Sequence, residues 1–103
     1  ELQSTTSIAE TLGAPKTEPP QFEIVSHHAF DLVTVSDDSA IKALLEILET
    51  EKLLTEPATS CSVAALIEGR IAVRPQENVV VVLCGANIAL EKVHAWSAGN
   101  AQD

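Results

Sequence analysis

The sequence predicts an α/β fold, and two observations support that prediction. Residues 79–84 form an unbroken apolar run rich in valine, the pattern of a strand buried on both faces of a parallel sheet. Apolar residues also recur at helical spacing from Ile41 to Leu48, which is typical of an amphipathic helix. Two predicted strands alone do not make a sheet covered on both faces. We therefore expect partner strands from outside these 103 residues.

The first part of the chain is predicted to be mostly irregular. Hydroxyl side chains at 4–7 suit the start of a short helical turn over 8–12, which Gly13 would end. Pro20 is suited to the first turn of a helix, because proline there loses no helical hydrogen bond. We therefore predict a second short helix over residues 21–29.

The next predicted strand and helix adjoin each other directly. Residues 32–35 are strand-forming in composition. Ser36 then offers an N-cap, and Asp37 and Asp38 place negative charge at the positive end of the helix dipole. We predict that this amphipathic helix runs to about residue 53.

A further helix is predicted over residues 60–68, after an interruption at Pro57 and with Gly69 as its stop. The alanine pair at 64–65 suits close packing against another backbone. Cys61 is expected to be a small structural residue of this helix.

The end of the chain contains the second predicted strand, residues 79–84. A turn over 85–87 and a last helix over 88–96 follow it. We predict that residues 1–96 belong to one folded segment and that 97–103 form a frayed tail.

Composition excludes several kinds of partner. Fifteen acidic residues against six lysines and arginines give a formal net charge of −9, which disfavours binding to nucleic acid or to an anionic membrane surface. The longest apolar run is far shorter than the roughly 20 residues of a membrane-spanning helix. The two cysteines stand in small or apolar surroundings, which favours a reducing compartment, and the cytoplasm is expected.

Four sequence blocks together resemble a known family. In order along the chain they are TSIAETLGAP, DLVTVSDDSAI, LLTEPATSCSVAAL and VVVVLCGAN. They resemble matching segments of the serine and threonine dehydratases, which are pyridoxal-phosphate enzymes of fold type II. The first block and the cysteine of the last favour the serine dehydratases. The resemblance extends over roughly residues 4–96.

The resemblance implies that the chain is the C-terminal part of the large domain of such an enzyme, with parallel-sheet strands and flanking helices. The family's Schiff-base lysine stands in an S-x-K motif, which this sequence lacks. No catalytic residue is therefore assigned here, and the chain alone is expected to be inactive. The resemblance further implies a remainder of the same enzyme that supplies the lysine, an amino-acid substrate and a homodimer.

The resemblance also implies roles for individual residues. Cys84 matches the residue that faces the pyridine nitrogen of the cofactor, and Gly85 and Asn87 match the turn beside it. Thr11 and Glu56 match residues near the cofactor. A thiol is a weak acid and a weak donor, so it would not hold the pyridine protonated as a carboxylate does, and this suits β-elimination.

A cation site is implied by the same comparison. The backbone carbonyls of Leu12 and Ala14 match groups that hold a monovalent cation such as potassium, and Glu56 matches an acid near it.

Two other functions are compatible with the sequence. One is a small non-catalytic regulatory domain that binds an amino acid, and the other is a subunit that completes the pocket of a two-chain enzyme. The sequence does not decide whether the enzyme prefers serine or threonine, or whether it dehydrates or racemises its substrate.

Overall fold

The computed structural model describes residues 3–4, 6–28 and 31–99. Their elements are one 3₁₀ turn, Glu10–Leu12, and the helices α1 (Pro19–His27), α2 (Asp37–Glu51), α3 (Pro57–Ile67) and α4 (Leu90–Ser97). Within these described ranges no helix has the length and apolar character needed to cross a bilayer.

Helix α2 begins as the sequence predicts. The Ser36 hydroxyl accepts a hydrogen bond from the Ser39 backbone nitrogen at 3.1 Å, and two aspartates occupy the first turn. The helix ends at Glu51, slightly before the predicted residue 53, because Lys52 adopts the left-handed conformation with φ of 59°. The prediction of an amphipathic helix is confirmed, since Ile41 and Leu44 are buried.

Helix α3 begins at Pro57, so the prediction that this proline interrupts the chain before a helix at 60 is wrong. Proline fits the first helical position because the backbone N–H that it lacks would have no helical acceptor there, and because its φ is already helical. The helix ends at Ile67, and Gly69 follows with φ of 69°, which confirms the predicted stop.

Small residues bring α2 and α3 close together. Ala40 and Ala43 on α2 and Ala64 on α3 are almost completely buried. The buried Ser60 hydroxyl of α3 donates to the Ala40 backbone oxygen at 2.6 Å, a bond possible only where the two backbones are near each other. The predicted close packing of the alanine pair is thereby confirmed.

Helix α4 closes the apolar core against α2. Ile41 and Leu44 are buried together with Val93 and Trp96 of α4. Partly buried apolar side chains surround this cluster, namely Ile8, Leu45, Leu48, Leu54 and Ile88. The helix starts two residues later than predicted and includes Ser97, which we had expected in the frayed tail; residues 100–103 lie outside the described ranges.

The N-terminal segment is attached to α2 by a carboxylate. Asp37 accepts from the Ser7 hydroxyl at 2.6 Å and from the Ile8 backbone nitrogen at 3.2 Å. The predicted turn forms over Glu10–Leu12. Helix α1 begins two residues earlier than predicted and contains no buried residue, while the predicted end at 29 lies outside the described residues.

The two predicted strands do not form among the described residues. Residues 31–36 and 77–89 have no regular secondary structure. Val80 is 86% exposed and Val82 72%, so the prediction of apolar contacts on both faces of residues 79–84 is wrong for this chain. The reason is that a strand needs the backbone groups of a neighbouring strand, and the described residues supply none.

Candidate functional site

Glu56 lies at the start of α3 and connects that helix to the turn after residue 84. It is only 8% exposed. Its backbone oxygen accepts from the nitrogens of Thr59 and Ser60, which begins the helix. Its backbone nitrogen donates to the Gly85 oxygen at 3.1 Å. The first turn of α3 and residue 85 are therefore held together through the main chain.

The Glu56 carboxylate joins two further segments. Oε1 accepts from the Thr11 hydroxyl at 2.8 Å, and Oε2 accepts from the Asn87 backbone nitrogen at 3.1 Å. The partners are 45 residues before Glu56 and 31 residues after it. One carboxylate thus fixes the 3₁₀ turn and the 85–87 turn relative to each other.

Gly85 occupies a position where a side chain has no room. A Cβ atom there would lie 2.9 Å from Glu56 Oε1, closer than such atoms approach each other in proteins. Both carboxylate oxygens are engaged by Thr11 and Asn87, so the carboxylate cannot turn aside without breaking a bond. Close approach to this carboxylate is therefore the reason for glycine at residue 85.

Thr59 makes a second connection to the same turn. It is 1% exposed. Its hydroxyl accepts from the Gly85 nitrogen at 3.0 Å and donates to the Gly85 carbonyl oxygen at 3.1 Å. The hydroxyl oxygen also lies 3.6 Å from Cys84 Sγ. Sequence reasoning gave Thr59 no role. The available signal was a β-branched hydroxyl residue in the first turn of a helix otherwise rich in small side chains.

The structure brings five of the predicted site residues into one cluster. Direct hydrogen bonds link Glu56 to Thr11, Gly85 and Asn87, and Cys84 joins them through Thr59. The Cys84 side chain is exposed, so its thiol is open to a molecule outside the chain. Their roles in cofactor binding stay predictions.

The proposed cation ligands lie at the edge of this cluster. Leu12 directly follows Thr11, and its carbonyl accepts from the Ala14 nitrogen at 3.0 Å, which leaves one lone pair free. Both residues are exposed. In the described part of the chain, no group of three or more histidine, cysteine or acidic side chains is placed to hold a metal ion. Coordination by the backbone carbonyls stays a prediction.

A groove of about 250 Å³ opens beside Glu56. Thr11, Asn87 and Trp96 contribute to its walls. Lys92 and Glu10 also line it and form an ion pair of 3.3 Å between α4 and the 3₁₀ turn. The pair is well exposed, so it contributes little to stability, but it neutralises the only lysine of the groove lining.

The two thiols of the chain differ in their surroundings. Cys61 is partly buried on α3, and burial raises the pKa of its thiol, with a further increase from the negative charge of Asp37. Cys84 is exposed next to the Gly85 turn. The structural assignment of Cys61 fits its position on a helix that packs against α2.

Comparison with known proteins adds sequence relatives. A family model described as pyridoxal-phosphate dependent enzyme matches residues 1–85. The chain is 40% identical over 86 residues to a phenylserine dehydratase of Ralstonia pickettii, which covers 84% of this chain and 26% of that protein. It is 31% identical over 104 residues to the mouse (Mus musculus) L-serine dehydratase/L-threonine deaminase, covering 91% of this chain and 32% of that protein. A human serine dehydratase-like protein is 30% identical over 94 residues, covering 84% and 29%.

Proposed function

The chain belongs to the family of pyridoxal-phosphate-dependent enzymes, and from that premise we propose that it is part of a dehydratase that converts a hydroxy amino acid, L-serine or L-threonine, into a 2-oxo acid and ammonia. The observation that supports this most is the convergence of Thr11, Glu56, Gly85 and Asn87 in one hydrogen-bonded cluster with Cys84 at its open side.

The residues present fit one end of the cofactor. The close approach of Gly85 to Glu56 fixes the turn, and Thr59 holds the backbone next to the exposed Cys84 thiol. We place this thiol against the pyridine nitrogen, where a weakly acidic donor leaves the ring unprotonated. When bound, the cofactor supplies the electron sink for loss of the α-proton and the β-hydroxyl.

The remainder of the protein has to complete the site. The chain spans between a quarter and a third of the length of the curated relatives described above. We propose that this remainder supplies the cofactor-anchoring lysine, the phosphate-binding loop and the strands between which residues 79–84 pair in a parallel sheet. The large exposed fractions of Val80 and Val82 support this, because helices packed on the face of such a sheet would cover them.

Three finer proposals accompany this function. The carbonyls of Leu12 and Ala14, with Glu56 nearby, would hold a monovalent cation such as potassium, since the Thr11–Glu56 bond brings that turn to the carboxylate. The intact protein would be a homodimer. It would work in the cytoplasm, where its two free thiols stay reduced.

The test is deamination by the intact protein loaded with pyridoxal phosphate. Release of 2-oxo acid is measured with L-serine, L-threonine and phenylserine as separate substrates, in potassium and then in lithium buffer. We expect turnover of at least one of them, a loss on exchange of potassium for lithium, and the mass of a dimer by light scattering.

Substitutions at the two cysteines sharpen the test. Cys84→Ser should reduce turnover only mildly, because a hydroxyl also shares a hydrogen bond with a neutral pyridine. Cys84→Ala should lose about 1 kcal/mol of transition-state stabilisation. Cys84→Asp should be the most harmful, because a carboxylate would stabilise the protonated form of the ring. Cys61→Ser is the matched control and should leave turnover unchanged. Equal turnover for wild type, Cys84→Ala and Cys84→Asp would remove Cys84 from the active site.

A further inference from the structure

A second and larger groove, of about 720 Å³, lies beside α3. Small side chains of α3 line it at the spacing of one helix face, namely Ala58, Cys61, Ser62 and Ala65. This face is not the one on which Ser60 and Ala64 pack towards α2. Helix α3 therefore has two faces of small side chains, one covered by α2 and the other lining the groove.

The composition of α3 indicates that the groove face is also covered by protein. The helix has the sequence PATSCSVAALI, which contains no charged side chain. A helix without a charged face is typically buried on all sides, either in a protein core or in a bilayer. Its eleven residues are too few to cross a bilayer. Ser62 is nevertheless exposed, so the groove face has room for further protein.

Residues 31–35 form another wall of the same groove. Their backbone N–H and C=O groups make no hydrogen bond with any other described residue. Three of the five residues are β-branched, and Leu32 is 84% exposed. Unpaired backbone groups in a segment of this composition are a template for an added strand. The wall and the α3 face together fit an extended segment rather than a small molecule.

We propose that a β-strand from the remainder of the same protein occupies this groove, pairs with residues 31–35 and packs large apolar side chains against the small residues of α3. The chain spans between a quarter and a third of the length of its curated relatives, so further protein is available. Asp31 is the only charged residue of the groove lining, which favours an apolar occupant. A second copy fits less well, because two chains of net charge −9 repel each other.

The first arm of the test measures whether the groove is filled in the intact protein. Ser62→Leu adds a large side chain to the groove and should lower the urea midpoint of unfolding by roughly 0.5 M or more, the result of overpacking a filled site. Ser62→Ala removes the same hydroxyl without adding volume and should stay close to wild type.

Thr50→Leu is the matched control outside the groove. Thr50 is an exposed helical residue whose hydroxyl donates to the Glu46 backbone oxygen, as the Ser62 hydroxyl donates to the Thr59 oxygen. Its midpoint should stay close to wild type. Equal midpoints for wild type, Ser62→Leu and Thr50→Leu would show an unfilled groove and overturn the proposal, as would equal losses for Ser62→Leu and Ser62→Ala.

The second arm identifies the occupant without disturbing the packing. A photo-reactive diazirine analogue of leucine replaces Leu32 in the intact protein, and the crosslinked peptides are sequenced after irradiation. We expect crosslinks within one polypeptide, to a peptide outside these 103 residues. Crosslinks between two copies, crosslinks only within residues 1–103, or no crosslink at all would each overturn the proposal.

The inference rests on the proposed function only for the existence of a remainder, and not for the reaction. Release of 2-oxo acid by the same wild-type preparation, loaded with pyridoxal phosphate, is therefore measured in parallel. The expected crosslink without turnover of any hydroxy amino acid supports the occupied groove and overturns the proposed reaction. Turnover without that crosslink overturns the occupied groove alone.

Discussion

Helix α2 and residues 79–84 both carry large apolar side chains, yet these side chains reach opposite environments. Leu44 on α2 is completely buried, whereas Val80 is 86% exposed. A helix makes its backbone hydrogen bonds within itself, so an apolar face and one neighbouring helix suffice to bury it. A strand depends on the backbone of another strand. The difference separates a region that this chain buries with its own helices from one that we propose is covered by further protein.

The largest expected effect comes from cavity formation in the helical region. Leu44→Ala should lower the free energy of unfolding by about 2–5 kcal/mol, because the removed atoms leave a cavity in the core formed with α4. Val80→Ala is the matched exposed control and should change it by less than about 0.5 kcal/mol in the 103-residue chain. Urea unfolding followed by circular dichroism measures both.

Similar effects of these two substitutions would break the comparison, because they would show that residues 79–84 are packed as tightly as α2.

The turn at Gly85 is the point where the irregular segment is attached to the helices. Gly85→Ala should cost about 1–3 kcal/mol, since its Cβ would collide with a carboxylate held by two hydrogen bonds. In a Glu56→Ala background the same change should cost much less, because the obstacle is gone. A double-mutant cycle of unfolding free energies measures this coupling, and additive effects would show that Glu56 does not restrain the turn.

The start of α2 tests how far the helical region depends on local signals. Ser36→Ala removes the acceptor for the Ser39 nitrogen and should lower the free energy of unfolding by about 1 kcal/mol. Ser36→Asp retains a capping oxygen and serves as the control, with stability close to that of wild type. Equal losses for alanine and aspartate would contradict capping as the cause.

The smallest expected effect is a pH dependence at the end of α3. The Ser39 hydroxyl, and then the Arg70 guanidinium, hold the pKa of the Glu68 carboxyl below its usual value. This carboxylate therefore adds stability above the usual pKa, and the contribution is lost as pH falls through the lowered value. Wild type should lose slightly more stability on acidification than Glu68→Gln. The same change in unfolding free energy with pH in both proteins would contradict this role of Glu68.

Local features of the sequence were the predictable ones. The Ser36 cap, the buried face with Ile41 and Leu44, and the stop at Gly69 all depend on residues a few positions apart. Pro57 was misread because proline both interrupts helices and begins them, and only the surrounding contacts decide between the two.

The features that could not be predicted from the sequence depend on contacts between residues far apart in the chain. The family resemblance selected Glu56 and Gly85, but it did not indicate why they lie together. A main-chain hydrogen bond joins the two residues, and glycine leaves room for the carboxylate where a Cβ atom would not. Thr59 was missed because its bonds to Cys84 and Gly85 connect residues about 25 positions apart and leave no periodic signal. Pairing of residues 79–84 depends on backbone groups that the described chain does not contain.

Peptide-level hydrogen exchange over residues 79–84 tests most directly whether this segment is completed by the remainder of the protein. The amides are compared in the 103-residue chain and in the intact protein, with those of α2 and α3 as the internal reference. We predict slow exchange of α2 and α3 in both, and exchange of residues 79–84 that is fast in the chain alone and slow in the intact protein. Equally fast exchange of residues 79–84 in both would contradict the proposed strand and the position that it gives Cys84.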